Sequence, residues 1–210
     1  MTATSPGLVC GHHHLYSALA RGMPSPPGPA ASFLEILQQV WWRLDAALDL
    51  EMLRWSAMLG ATEALMSGTT CIIDHHESPN AIDGSLSVIA DACAEVGVRV
   101  NVAYGVTDRW DDGGQPPATR WPPPDMTEAA RRGLAEGERF LREGGRGMIG
   151  VHAAFTCSDD TLEAAAGLAS DLGVGVHIHV AEGSVDASAG RLPPAPRRWP
   201  TRPGWRGCRG

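Results

Sequence analysis

The chain has 210 residues, of which 43% are hydrophobic and 20% charged, enough for one domain with a sizeable core. The formal net charge is −7 and every basic residue is an arginine; up to Asp186 eleven arginines face 24 acidic residues, a balance of −13, and six arginines follow without an acid. An acidic body gives no support to nucleic-acid binding, no apolar run approaches the roughly 20 residues of a membrane span, and residues 1–6 lack the basic-then-apolar signature of a secretory leader. The composition therefore predicts a cytoplasmic protein with neither nucleic acid nor membrane as partner. Five cysteines are widely spaced, with no Cys-x-x-Cys pair, so neither a disulfide framework nor a thiolate zinc site is expected.

In chain order, Leu8-Val9-Cys10 reads as a buried strand leading into Gly11 and three histidines, His12, His13 and His14. Side chains alternate along a strand, so His12 and His14 point one way and His13, expected to face solvent, the other. A Pro-rich loop covers 24–29. Ser32 and Glu35 have capping-box spacing ahead of a periodic segment to Leu48, with Trp41 and Trp42 in its core or in a pocket wall. A helix over 50–66 ends at Gly68, and a strand over 69–74 runs into His75, His76 and Glu77, which either line a pocket or hydrogen-bond at the strand end. A helix over 82–96 and a strand over 98–104 follow. A long Gly/Pro-rich loop over 111–124 carries Trp121; Trp110 precedes it, and each either covers the site or anchors the loop. Then come a helix around 125–143, a strand over 148–152 ending in His152, a helix capped by Ser158, and a strand over 174–180 carrying His177, expected in the core, and His179, with Glu182 just beyond.

Strand–helix alternation five times over predicts α/β architecture, parallel strands with crossover helices. This is either an incomplete (β/α)8 TIM barrel made of about the first five βα units or a doubly wound open sheet, although the first strand is followed by no Gly-rich phosphate loop. The chemical residues sit at the strands' C-terminal ends, the face on which such barrels build active sites. If the first and fifth strands face each other, His12, His14 and His179 converge on one cation with Glu182 close by. From about residue 190 the pattern gives way to Arg, Pro, Gly and Trp without periodicity. That switch predicts a barrel domain over 1–187 and a disordered tail over 188–210 read in a changed frame.

The segments Pro6–His14, His12–Gly22, Trp41–Asp45, Gly68–Thr70, Ile73–Ala81, Asp83–Leu86, His152–Thr156 and His177–Glu182 resemble, in order, the amidohydrolase superfamily. The resemblance is to the subset containing cytosine, guanine and 8-oxoguanine deaminases and atrazine-type chlorohydrolases, and most to the SsnA-type aminohydrolases. It implies one divalent metal ion, zinc or iron, held by His12, His14 and His179. It further implies Glu182 as the catalytic proton carrier or substrate holder and His152 as a substrate contact. Cys10 and Gly11 replace the usual Asn-Ala. The family's strand-six histidine, its strand-eight aspartate and the small β-domain ahead of strand one have no counterpart. The resemblance therefore implies a truncated metal-dependent hydrolase of non-peptide carbon–nitrogen bonds, an aminohydrolase or deaminase whose partner is a small-molecule substrate of heterocyclic or amidine-like kind. A non-catalytic metal-binding fragment and a hydrolytic dechlorinase are the alternatives. Unpaired barrel edges predict self-association.

Overall fold

The computed structural model describes residues 4–26, 28–110 and 122–188. Five parallel strands run in sequence order: β1 (Leu8–His13), β2 (Thr69–His76), β3 (Arg99–Tyr104), β4 (Ile149–Ala153) and β5 (Val176–His179). β1–β2–β3 form one ladder and β4–β5 another. Two parallel bridges, Val102 to Gly147 and Val106 to Val151, join the ladders at β3 and β4. Gly147 and Gly150 permit that junction: a Cβ at either would collide with the carbonyl of Val102 or Tyr104. The expected arc of a (β/α)8 barrel is therefore present, with every strand's C-terminal end on one rim.

The helices start where side chains can satisfy their first amides. Ser32 Oγ accepts from Glu35 N (3.2 Å), and Glu35 reaches back to Ala31 N (2.6 Å). This box opens α1 (Phe33–Ile36), which continues through a π turn (Leu37–Trp41) into α2 (Trp42–Asp45). Asp49 caps α3 (Leu50–Met66), Thr127 caps α5 (Glu128–Arg142) and Ser158 caps α6 (Asp159–Leu172). α4 (Ser85–Val96) ends at Gly97, whose φ of +95° suits glycine. A short α7 (Ser184–Ser188) follows β5. α3, α4 and α5 cover the first ladder through Ala57, Ala61, Leu86, Ile89, Ile72 and Val102, while Ala165 and Ala169 of α6 pack on Ile149 and Val151.

Three expectations are corrected. β1 is not buried: Leu8 and Val9 are 62% and 65% exposed, because among the described residues β1 pairs with β2 alone and nothing covers its outer flank. His13 does not face solvent; it is half-buried against α3, its Cε1 beside Gly60. The 82–96 helix begins at Ser85, since Gly84 at φ +82° breaks the turn. No helix among the described residues is long and apolar enough to cross a membrane. Trp121 and the tail from residue 189 lie outside the described residues.

Candidate metal centre

β1 reaches the rim through an irregularity: Cys10 pairs with Ile72 and His13 with Asp74, three steps against two, so a bulge falls at Gly11 and His12. Bulges re-aim side chains at barrel rims. His12 Nε2 comes within 3.1 Å of His14 Nε2 and 3.2 Å of His179 Nε2. One ligand nitrogen from each of the three rings lies within 4.8 Å of the other two. Tetrahedral zinc–imidazole bonds of 2.0–2.1 Å set ligand nitrogens about 3.3 Å apart, so the observed separations fit a small divalent cation.

The far nitrogens determine what the near ones offer. His14 Nδ1 donates to the carbonyl of His75 (2.7 Å) and His179 Nδ1 to that of His152 (2.5 Å). A carbonyl only accepts, so in the neutral rings both protons sit on Nδ1 and both Nε2 atoms carry lone pairs into the shared space. Burial keeps the rings neutral. It lowers the pKa of His14 to about 3 and lowers that of His179, and it also lowers that of His12, which the neighbouring His179 depresses further. The cluster is a set of neutral donors, the form in which histidine binds metals.

The other expected residues are distributed around it. Glu182, past the end of β5, is exposed and forms no side-chain hydrogen bond with His12 in the structure, but each influences the other electrostatically. Partial burial raises its pKa, Asp186 raises it further, and His12 opposes both. His152 is buried at the end of β4, its ring 5.9 Å from that of His179. Thr156 Oγ1 donates to Ala153 O, so His152 Nδ1 donates to that hydroxyl (2.8 Å) and its Nε2 faces Glu77 Oε2 at 3.7 Å. His75 and His76 hydrogen-bond at the strand end, to Val151 O (3.1 Å) and Ser78 Oγ (2.8 Å), although the His75 ring also underlies His179 at 4.4 Å. Trp41 and Tyr16 flank His14 with ring centres at 5.9 and 5.7 Å.

Two features were not apparent from the sequence. His177, expected in the core, is half-buried with its Nε2 2.9 Å from His12 Nδ1. Its two-residue spacing from His179, which gives both the same strand face, was the available signal. Beneath the histidines lies a wholly buried ionic cluster: Arg109 pairs with Asp45 (3.0 Å) and with Glu77. Trp110 Nε1 donates to Glu77 (3.2 Å), and the guanidinium stacks over Trp42 and Trp110 at 4.9 and 4.8 Å. Trp110 thus anchors its loop rather than covering the site. Burial raises the pKa of both carboxylates, while Arg109 opposes the shift. No local pattern announces this cluster, since its members come from α2 and from the loops after β2 and β3.

Sequence and structure comparisons agree with this architecture. Residues 4–189 match the amidohydrolase family model. The chain belongs to the amidohydrolase family. It is 34% identical over 183 residues to 5'-deoxyadenosine deaminase from Methanopyrus kandleri, covering 84% of this chain and 36% of that protein. It is 32% identical over 178 residues to 5-methylthioadenosine/S-adenosylhomocysteine deaminase from Aquifex aeolicus, covering 84% of this chain and 37% of that protein. The chain thus spans little more than a third of the length of these relatives. Among solved structures, guanine deaminase from C. acetobutylicum superposes with a TM-score of 0.67 at 15% identity, covering 88% of this chain and 42% of that one. The zinc complex of atrazine chlorohydrolase TrzN from Arthrobacter aurescens TC1 gives 0.63 at 19% identity, covering 88% and 42%. These two likenesses support the fold.

Proposed function

We propose that this chain carries the metal-binding rim of a metal-dependent aminohydrolase that deaminates a heterocyclic amine. The carrying observation is the convergence of the His12, His14 and His179 Nε2 atoms at 3.1–3.2 Å contacts with their outer nitrogens held. Held by these three, a divalent cation, zinc or iron, would supply water that ionises near neutral pH. Hydrolysis of an aromatic C–NH2 group consumes water and releases ammonia, leaving a carbonyl. The departing nitrogen must gain a proton, and we assign that transfer to Glu182, which is close enough to His12 for mutual electrostatic influence and has a raised pKa. His152, at the end of β4 with its ring centre 5.9 Å from that of His179, is our assigned substrate contact. Trp41, half-buried beside His14, offers a planar ring an aromatic face. The named relatives act on adenosine derivatives, which makes purine nucleosides the first substrates to try.

The test is zinc content together with ammonia release from adenosine derivatives, guanine and other heterocyclic amines, with His12→Ala alongside. One zinc per chain and zinc-dependent ammonia, both lost in His12→Ala, is the expected result. Zinc binding without ammonia from any amine would favour a second reading, a non-catalytic metal-binding fragment, which the partial coverage of the relatives supports. A chain that takes up no zinc would overturn both.

A further inference from the structure

We infer that His177 is a positioning residue for the metal centre: its Nε2 accepts the Nδ1 proton of His12 and so turns the His12 Nε2 lone pair toward the cation. The inference rests on the metal-centre reading above and extends it to a residue outside the ligand set.

The three converging imidazoles are not held alike. His14 and His179 each have a backbone carbonyl on Nδ1, which fixes their tautomers. His12 has no carbonyl there; its Nδ1 lies 2.9 Å from His177 Nε2. An imidazole nitrogen, unlike a carbonyl, can donate or accept, so this link has two states. In one, His177 donates to His12 Nδ1, and the His12 proton sits on Nε2 between the rings of His14 and His179. In the other, His12 donates from Nδ1 to His177, and all three Nε2 lone pairs face inward. Proton count and charge are the same in both, because each ring merely moves its one proton to its other nitrogen. Only the second state accepts a cation at His12.

The surroundings of His177 favour this role over packing. It shares a strand face with His179, which places it one pleat below the rim and directly under His12. The ring centres of His12 and His177 are 5.0 Å apart at an interplanar angle of 76°, and His177 meets His75 in a similar edge contact at 5.1 Å. Its own Nδ1 is buried with no hydrogen-bond partner among the described residues, so its polar engagement is the one with His12. Outer partners of metal-bound histidines typically set metal affinity by ~10–100-fold.

The experiment compares zinc affinity, by competition with a chromogenic chelator, in the full chain and in the His177→Phe and His177→Gln variants. Phe keeps a packed ring and removes the acceptor; Gln places an amide oxygen at similar reach. The expected result is a ~10–100-fold loss for Phe and recovery of most of it with Gln. Equal affinity in the unsubstituted chain and the Phe variant overturns the inference. In parallel, the unsubstituted metal-free chain, labelled with 15N, is examined for scalar coupling across the hydrogen bond between His12 Nδ1 and His177 Nε2. Its presence supports the link and its absence overturns it, whether or not the Phe variant folds. Failure of the unsubstituted chain to bind zinc would instead strike the metal-centre reading, while the coupling still reports on the link.

Discussion

Two polar clusters lie a few ångströms apart at the top of this barrel arc, and they are completed in opposite ways. Asp45, Arg109 and Glu77 are essentially inaccessible and neutralise one another: each carboxylate meets the guanidinium, and the guanidinium fills the gap between two indoles. His12, His14 and His179 are exposed or half-buried, and their inward nitrogens meet only each other. The first arrangement neutralises its charges within the protein and ties the loops after β2 and β3 to α2, although Arg109 Nε and Nη1 and Asp45 Oδ1 have no hydrogen-bond partner among the described residues. The second spends its outer nitrogens on positioning and leaves its inner lone pairs for something else. Tyr16 links the two, sharing a hydrogen bond with Asp45 while its ring rests against His14. The contrast teaches that a polar cluster becomes a binding site when its members are held from behind and their unsatisfied atoms face an accessible space.

Substitutions can break or sharpen that contrast. The largest effect is expected for Arg109→Met, which strands two buried carboxylates without their cation and should destabilise by about 3–5 kcal/mol in urea unfolding. A loss below about 1 kcal/mol would mean that the guanidinium is not what holds the two buried carboxylates. Asp74 comes next. It is fully buried with one backbone donor, Leu15 N at 2.6 Å, and burial raises its pKa to about 7. A carboxylic acid whose folded pKa lies above its unfolded value binds more protons folded than unfolded. Its stabilisation is complete below about pH 4 and is lost as pH rises to about 7. Asp74→Asn keeps an acceptor for Leu15 and cannot ionise. The variant should therefore gain on the parent between pH 4 and 7, by on the order of 4 kcal/mol at the upper end; parallel stability curves would contradict this. The smallest stability effect is expected for His12→Ala, within about 0.5 kcal/mol because the ring is exposed. The same substitution should weaken zinc binding by more than the ~10–100-fold typical of outer-shell changes.

The parts of this molecule that could be read from the chain are those governed by neighbours in sequence. Ser32, Thr127 and Ser158 cap helices because each lies three residues before the amide that it satisfies. His12 and His14 share a face through strand alternation, and the ordered strand ends were enough to bring His179 to them. Apart from the start of α4, set locally by Gly84, the misreadings involve distant partners. Leu8 and Val9 are apolar enough for a core, but their burial depends on a neighbour beyond β1 that no described residue provides. His13 was assigned to solvent because its face was known and the packing of α3 behind it was not. Arg109 is a lone arginine after a strand until Asp45 and Glu77, 64 and 32 positions back, close on it. His177 needed the placement of β1 opposite β5 before its spacing from His179 acquired a meaning.

The central claim is that three imidazoles form one cation site, and the most direct test is X-ray absorption at the zinc edge on the full chain, paired with zinc titration of the His12→Ala, His14→Ala and His179→Ala variants. The account predicts one zinc per chain, imidazole nitrogens at about 2.0–2.1 Å and severe loss of binding in each of the three variants. Zinc that stays bound with undiminished affinity when any one of these histidines is removed, or that is surrounded by ligands other than imidazole, would contradict it.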